Sequence, residues 1–145
     1  MNDFDFLAGH WNVANRRLAG DEWDEFPGHS VATRHFDGAA SFDEVTFPTK
    51  GFSGLTVRVY DHTTRQWSIY WASSARGVLD TSPMVGAFDG DRGEFYGEET
   101  HEGRRVRCRF LWSVLGQDGA RWEQAFSADD GKTWETNWTM DFTRA

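Results

Sequence analysis

Cysteine occurs once in this 145-residue chain and proline three times, and neither a block of basic residues nor a long apolar run is present. One thiol, Cys108, excludes an internal disulfide framework and a cysteine-built zinc cage. No stretch reaches the ~20 apolar residues that a membrane-crossing helix needs. With 15 Lys+Arg against 23 Asp+Glu the net charge is −8, which argues against nucleic acid or anionic lipid as a partner. The opening Met1-Asn2-Asp3-Phe4-Asp5 has no basic region followed by an apolar one, so no secretory signal is read and a cytoplasmic location is expected. Neither a glycine-rich phosphate loop nor a nucleophile elbow occurs. The five histidines (His10, His29, His35, His62, His101) lack zinc spacing, so neither a metal nor a cofactor is expected. The length gives a single domain, residues 1–145, large enough to bury a core.

Aromatic rings dominate what is there. The chain has 8 Trp, 12 Phe and 3 Tyr against only 16 Leu, Ile and Val. Rings of this size bury ~150–250 Å² each and are stiff. They can fill a core, or stand as rigid planes around a void that aliphatic chains would collapse into.

Period-2 alternation gives the secondary structure. Val106, Cys108, Phe110 and Trp112 alternate with Arg105, Arg107, Arg109 and Leu111. Leu55, Val57 and Val59 alternate with Thr56, Arg58 and Tyr60, and Trp67, Ile69 and Trp71 with Ser68, Tyr70 and Ala72. Near the end, Trp122, Gln124 and Phe126 share one face, and Trp134, Thr136, Trp138, Met140 and Phe142 share another; these are taken as inward. Less regular strands are read at 11–18, 28–36, 40–47, 84–88 and 94–99, making ten. For 28–36, 40–47 and 84–99 the pattern leaves the inward face open. Asp37-Gly38, Asp89-Gly90, Asp118-Gly119, Asp130-Gly131 and Glu102-Gly103 mark tight turns. Connections this short admit no crossover helices, so the strands run as an antiparallel meander. One helical turn is expected at the start, capped by Asp3 and ended by Gly9. The fold class is therefore all-β, a single up-and-down barrel of about ten strands, since closure removes exposed sheet edges. A barrel of that size holds more room than its own side chains fill.

The segment Phe4-Asp5-Phe6-Leu7-Ala8-Gly9-His10-Trp11 resembles the start of calycin-superfamily barrels: lipocalins, fatty-acid-binding proteins and nitrobindin-like proteins. The whole is most similar to small bacterial lipocalin-like proteins of unknown function. The resemblance implies that a short helix closes one barrel end, that Gly9-x-Trp11 begins the first strand, and that Arg144 late in the last strand packs over Trp11. Two departures matter. Nitrobindin-like barrels hold haem through a His near the C-terminus, whereas the last His here is His101. Fatty-acid-binding proteins clamp a carboxylate from their last strands, where this chain has no inward cation; a carboxylate would have to find Arg17 or Arg58.

Other motifs reduce to turns. Ser127-Ala128-Asp129-Asp130-Gly131-Lys132-Thr133-Trp134 matches the Asp-box of propeller proteins, where it is a hairpin device. Asp89-Gly90-Asp91 begins like a calcium loop but lacks its later ligands.

The composition supports two kinds of function. One is a binding module taking a small hydrophobic molecule, aromatic or polycyclic, between Asn15, Arg17, Trp71, Phe110, Trp112, Trp122, Gln124, Trp138 and Met140. The other is a cyclase or isomerase of secondary metabolism that uses the same cavity to orient its substrate. For that reading His35 could meet Asp43 in an imidazole–carboxylate pair, with Tyr70 a further candidate. If rings fill the barrel completely, its surface would serve protein contacts instead. The partners expected are a small hydrophobic molecule and a second copy of the chain in a homodimer.

Overall fold

Alternating strands joined by turns of two or four residues, and once of seven, have one economical solution, a sheet that rolls up until its ends meet. A computed structural model describes residues 1–145 and shows that solution. The strands are β1 (Gly9–Ala19), β2 (Glu22–His35), β3 (Ala40–Phe47), β4 (Phe52–Asp61), β5 (Gln66–Ser73), β6 (Val78–Leu79), β7 (Met84–Asp89), β8 (Arg92–His101), β9 (Arg104–Val114), β10 (Gly119–Ser127) and β11 (Glu135–Arg144). Each pairs antiparallel with its neighbour, and β1 pairs with β11 in the register Trp11↔Arg144 through Arg17↔Trp138. Ten strands form the closed ring. The two-residue β6 adds to the edge of β5 where β7 has not yet begun.

The expected strands all form, most of them extended at one or both ends, while Phe36 and Trp134 fall outside theirs. β2 runs through Pro27, which sequence alone places before the strand. Pro27 lies opposite Ala14 of β1, while the β3 ladder begins only at His29, so its missing N–H costs no bond there. Glu102 and Gly103 both have positive φ (52° and 76°) between His101 and Arg104, the backbone of a two-residue hairpin turn. Around the Asp-box, Ser127 and Asp129 hold the turn through Gly131 N–H and both donors of Thr133. The Thr133 hydroxyl and N–H, with the Ser127 hydroxyl at 2.7 Å, hold the Asp129 carboxyl down at about 2.

A 3-10 turn, Asp5–Leu7, stoppers one end of the barrel. Phe4 packs edge-on against Trp67 and Phe88, and fully buried Leu7 accepts a hydrogen bond from the Trp11 indole at 2.8 Å. Arg144 lies 3.7 Å from the centre of the Trp11 ring and donates to the carbonyls of Ala8 (2.7 Å) and Phe6 (2.8 Å). Gly9 has φ +117°, and a Cβ there would stand 2.9 Å from the guanidinium. Gly9, Trp11 and Arg144 thus meet at the closed end.

One face differs from the sequence reading and another is settled by the structure. On β4, where alternation alone did not say which set faces in, the polar set points inward: Thr56 and Arg58 are buried, while Leu55 and Val59 are 38% and 37% exposed beside Phe42 of β3 at 40%. On β11 a bulge opposite Gln124/Ala125 inverts the alternation, pairing Gln124 with Trp138 but Ala125 with Thr136. Trp134 and Thr136 therefore leave the interior, and Trp134 lies outside against Arg109 and Tyr96.

Candidate functional site

The barrel end opposite the 3-10 turn is open, and a cavity of about 370 Å³ runs down from it. One wall is a chain of rings. Phe110 on β9 meets Trp122 on β10 at 5.1 Å, and Trp122 meets Trp138 on β11 at 5.4 Å, edge to face. The Trp138 indole is fixed from behind, its Nε1 donating to Oδ1 of buried Asn15 at 3.0 Å. Across the barrel, the Trp71 indole lies flat over Gly54 of β4. A Cβ on Gly54 would fall 1.8 Å from the ring, so only glycine leaves it that seat. Stiff rings held at both edges keep the space between them from collapsing.

At the mouth, Arg17 of β1 lies over Trp138, 4.1 Å from its centroid, and burial holds its guanidinium below its ordinary value. Gln124 donates to Asn137 at the bulge. Phe126 stacks near His101 at 5.2 Å. The segment 74–82, carrying β6, contributes Arg76, Val78, Asp80 and Ser82 to the rim.

Deeper, the cavity meets charge. Arg58 Nη2 and Asp43 Oδ2 are 2.6 Å apart, with side chains only 4% and 7% exposed. Arg58 Nη1 donates to Ser41 at 3.2 Å, and its guanidinium carbon lies 4.9 Å from the Phe4 ring and 5.7 Å from the Trp112 ring. The geometry follows from register: Ser41 faces Arg58 and Asp43 faces Thr56 across the β3–β4 ladder, all on the inner side. Cys108 lines the wall as a buried thiol, pushed up to about 12 by burial and then by the Glu99 carboxylate.

Of the expected binding residues, Arg17, Trp71, Phe110, Trp112, Trp122, Gln124, Trp138 and Met140 come together on the cavity wall. Asn15 does not line it; it holds Trp138. The proton-relay candidates are corrected. The inward residues of β2 are Phe26, Gly28, Ser30 and Ala32, so His35 lies on the outside, bonded to Thr33 at 2.8 Å. Asp43 is inside, but its partner is Arg58. Tyr70 lies on the outer face of β5, between inward Ile69 and Trp71. Sequence reasoning missed Ser41 and Thr56 and did not join Asp43 to Arg58. The available signal was the spacing of Ser41 and Asp43 before one hairpin and of Thr56 and Arg58 after it, which meets across the strands only if both polar faces turn inward.

No family model matches the sequence, and no curated protein does. Among solved structures the chain is similar to the S-type phycobiliprotein lyase CPES from Guillardia theta, with a TM-score of 0.59 and 12% sequence identity. The match covers 98% of this chain and 90% of that one. At that identity the likeness is one of fold: this chain is a closed antiparallel β-barrel of the same fold.

Proposed function

We propose that the protein binds a small, largely hydrophobic aromatic molecule in the barrel cavity. The observation that carries this reading is the pinned ring wall: Phe110, Trp122 and Trp138 in successive edge-to-face contact, braced by Asn15 and faced by Trp71 over Gly54. A cavity of about 370 Å³ is at the small end of the ~300–1,000 Å³ range of ligand sites. Apolar walls with a few placed polar groups are the usual make-up of such sites. The CPES structure bears the name of a lyase, but a likeness of fold carries no reaction with it. With His35 and Tyr70 on the outer surface and Asp43 paired to Arg58, the cyclase or isomerase reading loses the imidazole–carboxylate pair it called for, and no other observation favours it.

The test is a fluorescence titration, for which Trp71, Trp122 and Trp138 are built-in reporters. A panel of two- and three-ring aromatic compounds is expected to quench the emission saturably, with one site per chain. Trp122→Ala, which opens the wall, should change affinity for these compounds, whereas Trp134→Phe on the outside should not. Unsaturable, concentration-proportional quenching across the panel would defeat the reading.

A further inference from the structure

The Arg58–Asp43 pair makes little sense as a device for stability. Taking two charges out of water is expensive, and a well-packed apolar pair often serves a core as well or better. Here the pair stands in an interior otherwise built of rings, and both members line the cavity. The ring neighbours Phe4 and Trp112 and the bonds to Asp43 and Ser41 fix the guanidinium.

A guanidinium has five N–H donors, of which Asp43 and Ser41 take two. Its buried Nε–H has no acceptor in the protein. Buried donors are seldom left unpaired in a folded chain, and the exceptions call for an explanation. Nε itself is sealed off, but Ser41 and Asp43 leave one N–H on each of Nη1 and Nη2 without a partner, and on a side chain that lines the cavity these are a place for an acceptor brought by a ligand. The charge of that acceptor is also constrained. Asp43 already neutralises Arg58, so an incoming carboxylate would gain little from the cation and would be repelled by the neighbouring carboxylate. At the cavity margin the acids Asp80, Glu98 and Glu99 outnumber the cations Arg17 and Arg76 by three to two. A neutral carbonyl oxygen meets none of these penalties.

We propose that the deep end of the cavity recognises a neutral carbonyl oxygen, of an aromatic ketone, quinone or lactone, by hydrogen bonding to Arg58 held in place by Asp43. This rests on the binding function proposed above and specifies the ligand's chemistry. The ring body of such a molecule lies between Trp71 and the Phe110–Trp122–Trp138 wall, with its oxygen leading.

Three size-matched probes test it: 2-acetylnaphthalene, 2-ethylnaphthalene and 2-naphthoate, each titrated against the intact protein by Trp fluorescence. The ketone is expected to bind roughly tenfold more tightly than the hydrocarbon, the contribution of one hydrogen bond to a charged donor. The carboxylate should bind more weakly than the ketone. On binding, the ketone's carbonyl stretch should move to lower frequency in the infrared, a readout that needs no variant. In the double variant Asp43→Leu with Arg58→Met, the ketone's advantage should vanish while the hydrocarbon still binds. Equal affinity for ketone and hydrocarbon, an unshifted carbonyl stretch, tightest binding of the carboxylate, or an advantage that survives the double substitution would each overturn the inference and leave the binding function standing. Failure of all three probes to bind saturably would remove both.

Discussion

Cutting Arg58 back to methionine leaves the Asp43 carboxylate, 7% exposed, without a counter-ion and with Ser41 deprived of its donor. Breaking a buried pair from one side costs ~3–5 kcal/mol, because the surviving charge stays buried and unpaired. In a chain of this size that corresponds to a fall in Tm of roughly 6–20 °C. Asp43→Leu should cost a similar amount, since the guanidinium is then left with Ser41 as its one partner. The double variant should behave otherwise. With both charges gone, desolvation is no longer paid and two apolar side chains sit among Phe4, Ile69 and Trp112. Its stability is expected within ~1–2 kcal/mol of the parent, or above it. The assay is a double-mutant cycle by urea denaturation, followed by Trp emission and checked by circular dichroism. A large negative departure from additivity, close in size to the two single-variant losses together, is the expected result. Single substitutions that cost under ~1 kcal/mol, or a double variant as unstable as the two losses added, would refute the reasoning.

Three further outcomes follow from other parts of the barrel. Arg144→Ala removes the bonds to Phe6 and Ala8 and the stack on Trp11, and should cost about 2–4 kcal/mol, read as a lower urea midpoint at constant m. Gly54→Ala puts a methyl group into the seat of the Trp71 indole and drives it toward the cavity. Affinity for 2-acetylnaphthalene should fall at least tenfold, at a stability cost of ~1–3 kcal/mol; an unchanged affinity would show that Trp71 does not shape the site. With a pKa pushed up to about 12, Cys108 is a neutral thiol at pH 8, with about one molecule in ten thousand ionised. Labelling by a thiol-specific disulfide reagent should be slow in the native protein, complete in denaturant, and slower still with the cavity occupied. Native labelling at the rate of the unfolded chain would contradict its placement.

The strands were legible because period 2 is a local property, and Trp67, Ile69, Trp122 and Phe142 advertise it. The closed end was legible only through the resemblance carried by Phe4 to Trp11, which implied Arg144 over Trp11; neither period nor composition marks it. The deep polar site was obscured for a physical reason. An apolar-in rule applied to β4 would seat Leu55, Val57 and Val59 inside, yet the barrel spends this strand's inner face on Thr56 and Arg58. Local rules of this kind fail where a site is built. The same rule left the inner face of β2 undecided, because its inward residues, Gly28, Ser30 and Ala32, are small and its outward ones include Val31 and two histidines. Trp134 was misplaced by the bulge opposite Gln124, and a one-residue irregularity has no hydropathy signature. Val78–Leu79 is too short to show a period at all.

The most direct test of the central claim is a crystal structure grown with 2-acetylnaphthalene. The account predicts naphthyl density edge-on to Trp138 and Trp122 within an open barrel end, the ketone oxygen within hydrogen-bonding distance of the Arg58 guanidinium, and Asp43 still paired to it. An interior closed by its own side chains, with the compound absent or lying only on the outer surface, would contradict it.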